Sequence, residues 1–148
     1  MPFVELFVPK GSLSEAQRKK LETQLVAEVM RVEGAPDTPA ARAISWLVLH
    51  EVDTWSVGGQ RVRPDEAPRY VVRIAVPAGS LDYWKRAEMM RRVNDVLVEI
   101  DGDPDRLRRA PDAWIHIVEI PEGSWGAFGR VVGFRDIVAH VVGEGASS

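Results

Sequence analysis

Val8-Pro9-Lys10-Gly11-Ser12-Leu13 returns 68 positions later as Val76-Pro77-Ala78-Gly79-Ser80-Leu81. The same shift carries Gly34-Ala35-Pro36-Asp37 onto Gly102-Asp103-Pro104-Asp105, Trp46 onto Trp114 and Glu51 onto Glu119. With a two-residue gap, Trp55 meets Trp125. Matches in this order, two tryptophans and the Gly/Pro punctuation among them, mark an internal repeat. Each hexapeptide closes an apolar, β-rich run, Phe3 to Val8 or Tyr70 to Val76. Its proline and glycine then punctuate a turn.

A helix is expected after each turn. In the first unit Ser14 is the N-cap and Gln17, three residues on, completes a capping box. Leu21, Leu25, Val29 and Val32 fall on one helical face, and Gly34 is the stop. In the second unit Met89, Val93, Leu97 and Ile100 take that face and Gly102 the stop. A polar loop leads to a second strand, Ile44 to Val52 or Ala113 to Ile120. A Gly-rich segment with one tryptophan closes each unit, Trp55 to Gly59 or Trp125 to Gly129.

The fold class is therefore α+β, a tandem β-α-β repeat. The crossover helix makes the two strands of each unit parallel. Two units joined edge to edge give one four-stranded sheet with two helices on one face. The other face is left uncovered, and association with further copies is the natural remedy. The chain reads as one domain over 1–148, with units at about 1–59 and 69–132, a polar, proline-containing linker at 60–68 and an extension over 133–148. Periodicity does not decide between strand and helix for Val131 to Val142, and the small, polar end from Gly143 is expected to fray.

Composition narrows the function. Apolar residues make up 45% and charged residues 28% of 148, enough for a real core without staples. There is no cysteine, so disulfides, thiolate metal sites and a cysteine nucleophile are excluded. The three histidines, His50, His116 and His140, are far apart, so no metal and no cofactor is expected. A net charge of −3 argues against nucleic acid or an anionic membrane as partner. No run approaches the roughly 20 apolar residues of a membrane span. No signal peptide is visible, so a cytoplasmic location is expected.

The sequence opens Met1-Pro2, directly into a strand. Removal of Met1 would leave Pro2 a free secondary amine. An α-amino group has a pKa near 8, and burial lowers it. A neutral amine near pH 7 is a good general base.

Pro2, Gly11 after the first strand, the paired β-α-β units, and the closing segments Glu51 to Gly59 (EVDTWSVGG) and Glu119 to Gly129 (EIPEGSWGAFG) together resemble the tautomerase superfamily. That family is named for 4-oxalocrotonate tautomerase, and the resemblance runs to about Val132. It is to the fused members, which hold two β-α-β units in one chain, as the cis-3-chloroacrylic acid dehalogenase group does. The resemblance implies a tautomerase/MIF-like sheet, a catalytic Pro2 that shuttles a proton between carbon and oxygen, and a homotrimer. It also marks departures. Ser12, Trp46, Ser80 and Trp114 stand at or in the repeat of positions where 4-oxalocrotonate tautomerase has carboxylate-binding arginines. Ala127 stands where the dehalogenase group has its water-activating glutamate. Tyr70 stands where a second catalytic proline would be, so one active site per chain is expected.

The expected function is a keto-enol tautomerase with Pro2 as general acid/base, acting on a small 2-oxo or enol acid with at most one carboxylate. Trp55 and Trp125 are expected to wall its pocket. Arg73, alone in an apolar strand, either binds substrate or pairs with Glu5. His116 either orients a substrate oxygen or is a hydrogen-bonded strand residue. Arg130 after the Gly-rich segment is either a substrate contact or solvated surface. The run Arg106 to Arg109 reads as a solvated face. Two alternatives stand beside the isomerase: a non-catalytic binding or structural trimer with a pocket filled by tryptophan, and a Pro2-dependent decarboxylase or hydratase of a 3-carbon acid.

Overall fold

The computed structural model describes residues 2–143. Met1, on whose removal the amine depends, and the tail 144–148 lie outside the described residues.

The elements run β1 (Phe3–Pro9), α1 (Glu15–Glu33), α2 (Pro39–Ala43), β2 (Trp46–Val52), β3 (Ser56–Val57), β4 (Gln60–Arg61), β5 (Tyr70–Pro77), α3 (Tyr83–Asp101), α4 (Arg106–Arg109), β6 (Ala113–Ile120), β7 (Gly126–Ala127), β8 (Arg130–Val131) and α5 (Phe134–Val141). The sheet order is β2-β1-β5-β6. β1 pairs parallel with β2, and β5 with β6; β1 and β5 meet antiparallel, with Glu5 opposite Arg73. Two β-α-β units are thus joined at their first strands, as the repeat predicts.

The helix starts follow from local chemistry. The Ser14 hydroxyl accepts from the Gln17 N–H at 3.1 Å, and the Gln17 side chain accepts from the Ser14 N–H at 2.8 Å. Asp82 caps α3 through the Lys85 N–H at 2.8 Å. Gly34 and Gly102 end the helices at φ of 75° and 81°, backbone that favours glycine.

Alternation along the strands sorts the two faces. Val4, Leu6 and Val8 of β1 and Tyr70, Val72, Ile74 and Val76 of β5 point to the helices and are buried. They meet Leu21, Leu25 and Val29 of α1 and Met89, Val93 and Leu97 of α3 in one core. The opposite face has no helix. Trp46 there is 63% exposed and Trp114 58%. Among the described residues no helix is long and apolar enough to cross a membrane.

The repeat extends to single bonds. Arg18 bridges to Glu51 at 3.1 Å, and Arg86 to Glu119 at 3.4 Å. Lys10 N–H donates to the Val52 carbonyl at 2.9 Å, and Ala78 N–H to that of Ile120 at 2.8 Å. Both Gly-rich segments form two-residue hairpins, β3-β4 and β7-β8. Strand β4 takes up the first residues of the stretch read as linker.

Two local readings change. Val131 ends a strand and 134–141 is helical. That helix docks on the first unit: Val141 packs with Met30 and Ala41, and the Thr38 hydroxyl donates to the Val141 carbonyl at 2.9 Å. The run Arg106 to Arg109 is not a uniform solvated face. Leu107 is buried, and the Arg106 side chain is 13% exposed because two carboxylates, Asp101 and Asp112, hold it.

Candidate functional site

Pro2 precedes β1 and is buried. By strand alternation it belongs to the helix-facing side with Val4. Its carbonyl accepts from the Trp46 N–H at 3.1 Å, which ties it to the start of β2. Beside it opens a cleft of about 270 Å³ lined by Phe3, Ile44, Trp46, Trp125, Gly126 and Ala127. No charged side chain lines it.

An adjoining cleft of about 320 Å³ shares Ile44, Trp125 and Ala127 and adds Phe128, Arg130 and His140. Trp125 and Arg130 come from the second unit. The docking of α5 on α2 explains how they reach the first unit's end of the sheet. At the hairpin tip Phe128 has φ 56°, where the first unit has Gly58. A side chain in that left-handed region costs about 1–2 kcal/mol. The tip holds the Phe128 ring 5.7 Å from the Arg130 guanidinium carbon and 6.4 Å from the His140 ring.

The other sequence candidates lie elsewhere within the chain. Trp55, Arg73 and His116 line an open groove with Phe7 and Val71 on the uncovered sheet face. Arg73 and His116 are cross-strand neighbours there. Among the described residues no ion pair joins Arg73 to Glu5, whose carboxylate instead meets His50 Nε2 at 3.2 Å. Each hairpin tryptophan therefore shares a cleft with the opposite unit's first strand: Trp125 with Phe3, Trp55 with Val71. The structure brings Trp125 and Arg130 to the Pro2 end and leaves Trp55, Arg73 and His116 apart from it.

The position that repeats Pro2 is plugged. Tyr70 is 1% exposed, and its hydroxyl donates to Asp101 Oδ1 at 2.8 Å. Arg106 donates to the same Asp101 oxygen, to Asp112 at 2.8 Å and to the Pro68 carbonyl at 2.8 Å. Burial, and then the Asp101 carboxylate, push the Tyr70 phenol above its ordinary range. Sequence reasoning missed this cluster, because its members are scattered over Pro68 to Asp112.

No protein-family model and no curated protein matches the sequence. Solved structures do. A chain described as a fused 4-OT wild-type symmetric trimer aligns with a TM-score of 0.69 at 18% identity, over 95% of this chain and 98% of that one. Pt0534, described as inactivated by 2-oxo-3-pentynoate, aligns with a TM-score of 0.70 at 19% identity, over 87% of this chain and 94% of that one. N1, a member of the cis-3-chloroacrylic acid dehalogenase family, gives 0.66 at 12% identity, over 88% and 82%. The chain has the tautomerase fold.

In this tautomerase fold the chemistry open to the Pro2 end is set by what lines it. An apolar, aromatic cleft desolvates whatever enters and lowers the pKa of an amine there. Arg130 on the adjoining rim is the cation available to an anionic group. No acid lines the cleft, and Ala127 lines it where a water-activating glutamate would be needed.

Proposed function

We propose that this protein is a keto-enol tautomerase whose base is the Pro2 amine, freed by removal of Met1. The substrate is a small 2-oxo or enol acid with one carboxylate, and an aryl side chain of the phenylenolpyruvate type suits the tryptophan-walled cleft. The neutral amine takes the enol O–H proton as the C=O bond forms. The resulting ammonium returns a proton to the neighbouring carbon, and the amine is regenerated. The observation that carries this reading is the buried Pro2 set beside an aromatic cleft with a single cation, Arg130, on the adjoining rim.

The proposal includes a homotrimer. The uncovered sheet face exposes Trp46 and Trp114, and a neighbour of the same fold is described as a trimer. The wholly apolar lining of the Pro2 cleft favours a second reading, a non-catalytic trimer of the same fold. Its lack of an acid speaks against the decarboxylase or hydratase.

The test is the decay of an aryl enolpyruvate to its 2-oxo form, followed by ultraviolet absorbance. Decay well above the buffer rate, lost after exposure to 2-oxo-3-pentynoate, is the expected result. Decay at the buffer rate leaves the non-catalytic reading. Arg130→Ala is expected to raise KM about tenfold with kcat within about twofold, since a carboxylate anchor held equally in ground and transition states changes binding alone. An unchanged KM removes Arg130 from the site.

A further inference from the structure

We propose that Glu33 is a positioning residue that holds the Pro2 amine, as Asp101 holds the Tyr70 hydroxyl in the second unit. This rests on the Pro2 reading above and adds a residue that fixes the amine and its charge.

The repeat places Glu33 on Asp101 and Pro2 on Tyr70. Both acids are the last residue of the long helix, directly before the glycine stop. Both helices run back along their strand, so each ends over the strand's start. Tyr70 and Pro2 share the helix-facing side, and in the second unit the contact is direct, 2.8 Å from Tyr70 to Asp101.

An acid at a helix C-terminus opposes the helix dipole and needs a cation. Asp101 has Arg106. The first unit has Thr38 where Arg106 would be and Ile44 in place of Asp112. One Glu33 oxygen, Oε1, is fully buried. Burial raises the Glu33 carboxyl pKa, and the chain's positive amino terminus opposes the rise.

Other charges around the pair have partners or lie away. The helices are antiparallel, with Lys20 on Glu99 and Glu28 on Arg92, so Lys85 and Arg86 of α3 face the end of α1. Arg86 is engaged by the Leu81 carbonyl and Glu119. On α1, Arg31 pairs with Glu28. Glu5 of β1 lies on the opposite sheet face with His50. From α5, Asp136 accepts from the Gly133 N–H, and His140 faces Phe128.

A carboxylate beside the amine favours the ammonium and offsets desolvation by the cleft. The experiment is a nitrogen-15 NMR titration of the proline amine in the processed protein, for wild type, Glu33→Gln and Glu33→Asp. Glu33→Gln is expected to lower the amine pKa by about one unit or more, and Glu33→Asp by less. The basic limb of kcat/KM follows the same shift. A Glu33→Gln amine that titrates with wild type overturns the proposal. Should Glu33→Gln not fold, the Glu33 carboxyl carbon-13 shift in wild type decides: it must inflect as the amine titrates, and a flat response overturns the proposal. The amine titration needs no activity, so its failure is distinct from an inactive Pro2 site.

Discussion

Pro2→Ala is expected to lower kcat/KM for the enol acid by roughly a hundredfold or more, the range of a positioned general acid/base. Alanine at this position still allows Met1 to be removed, so an α-amine remains. What is lost is the ring. The pyrrolidine fixes φ near −65° and so aims the lone pair, and it fills the buried space before Phe3. A primary amine on a freely rotating backbone keeps the basicity but loses the aim. The fold is expected to persist, because the Pro2 carbonyl that accepts from Trp46 is unchanged in alanine. Circular dichroism and the unfolding midpoint of the variant should match wild type. A variant within about threefold of wild-type kcat/KM would take the proton transfer away from Pro2.

Asp101→Ala is expected to cost about 3 kcal/mol of stability, read as a shift of the urea midpoint at fixed protein concentration. The Asp101 side chain is 4% exposed and serves two donors, Tyr70 and Arg106. Removing it strands a buried phenol hydroxyl and leaves Arg106, itself 13% exposed, with Asp112 as its remaining carboxylate. Breaking a buried pair from one side costs about 3–5 kcal/mol because the other charge stays behind. Asp112 places the expected loss at the low end. Tyr70→Phe deletes one hydrogen bond and should cost about 1 kcal/mol. A loss under about 1 kcal/mol for Asp101→Ala would mean that water reaches Arg106 and that the cluster is no plug.

The β-α-β repeat was legible because its signals are local. Pro9 and Gly11, or Pro77 and Gly79, mark turns; the Ser14–Gln17 box starts a helix; Leu21, Leu25 and Val29 repeat at helical spacing. What escaped depends on contacts far apart in sequence. Residues 134–141 form too short a segment for periodicity to settle, and their docking involves Thr38 and Met30 of the other unit. The same docking separates Trp125 from Trp55, which look alike in sequence. Arg106 belongs to a run that reads as solvated, yet Asp101 and Asp112 draw it inward. Arg73 was legible as an oddity in its strand, but not its neighbour: the sheet register sets it opposite Glu5, and the structure groups it with His116 and Trp55 instead. Glu33 had a signal that could have been read, since the shift that pairs Pro2 with Tyr70 pairs it with Asp101.

Peptide mass mapping after exposure to a 2-oxo acid and cyanoborohydride tests the amine itself. A free secondary amine condenses with the ketone, water leaves, and hydride reduces the iminium to a stable tertiary amine. The expected peptide begins at Pro2 and carries one reduced adduct at its nitrogen. A peptide that still begins at Met1, or a Pro2 terminus left unmodified while surface lysines react, would contradict a proline base.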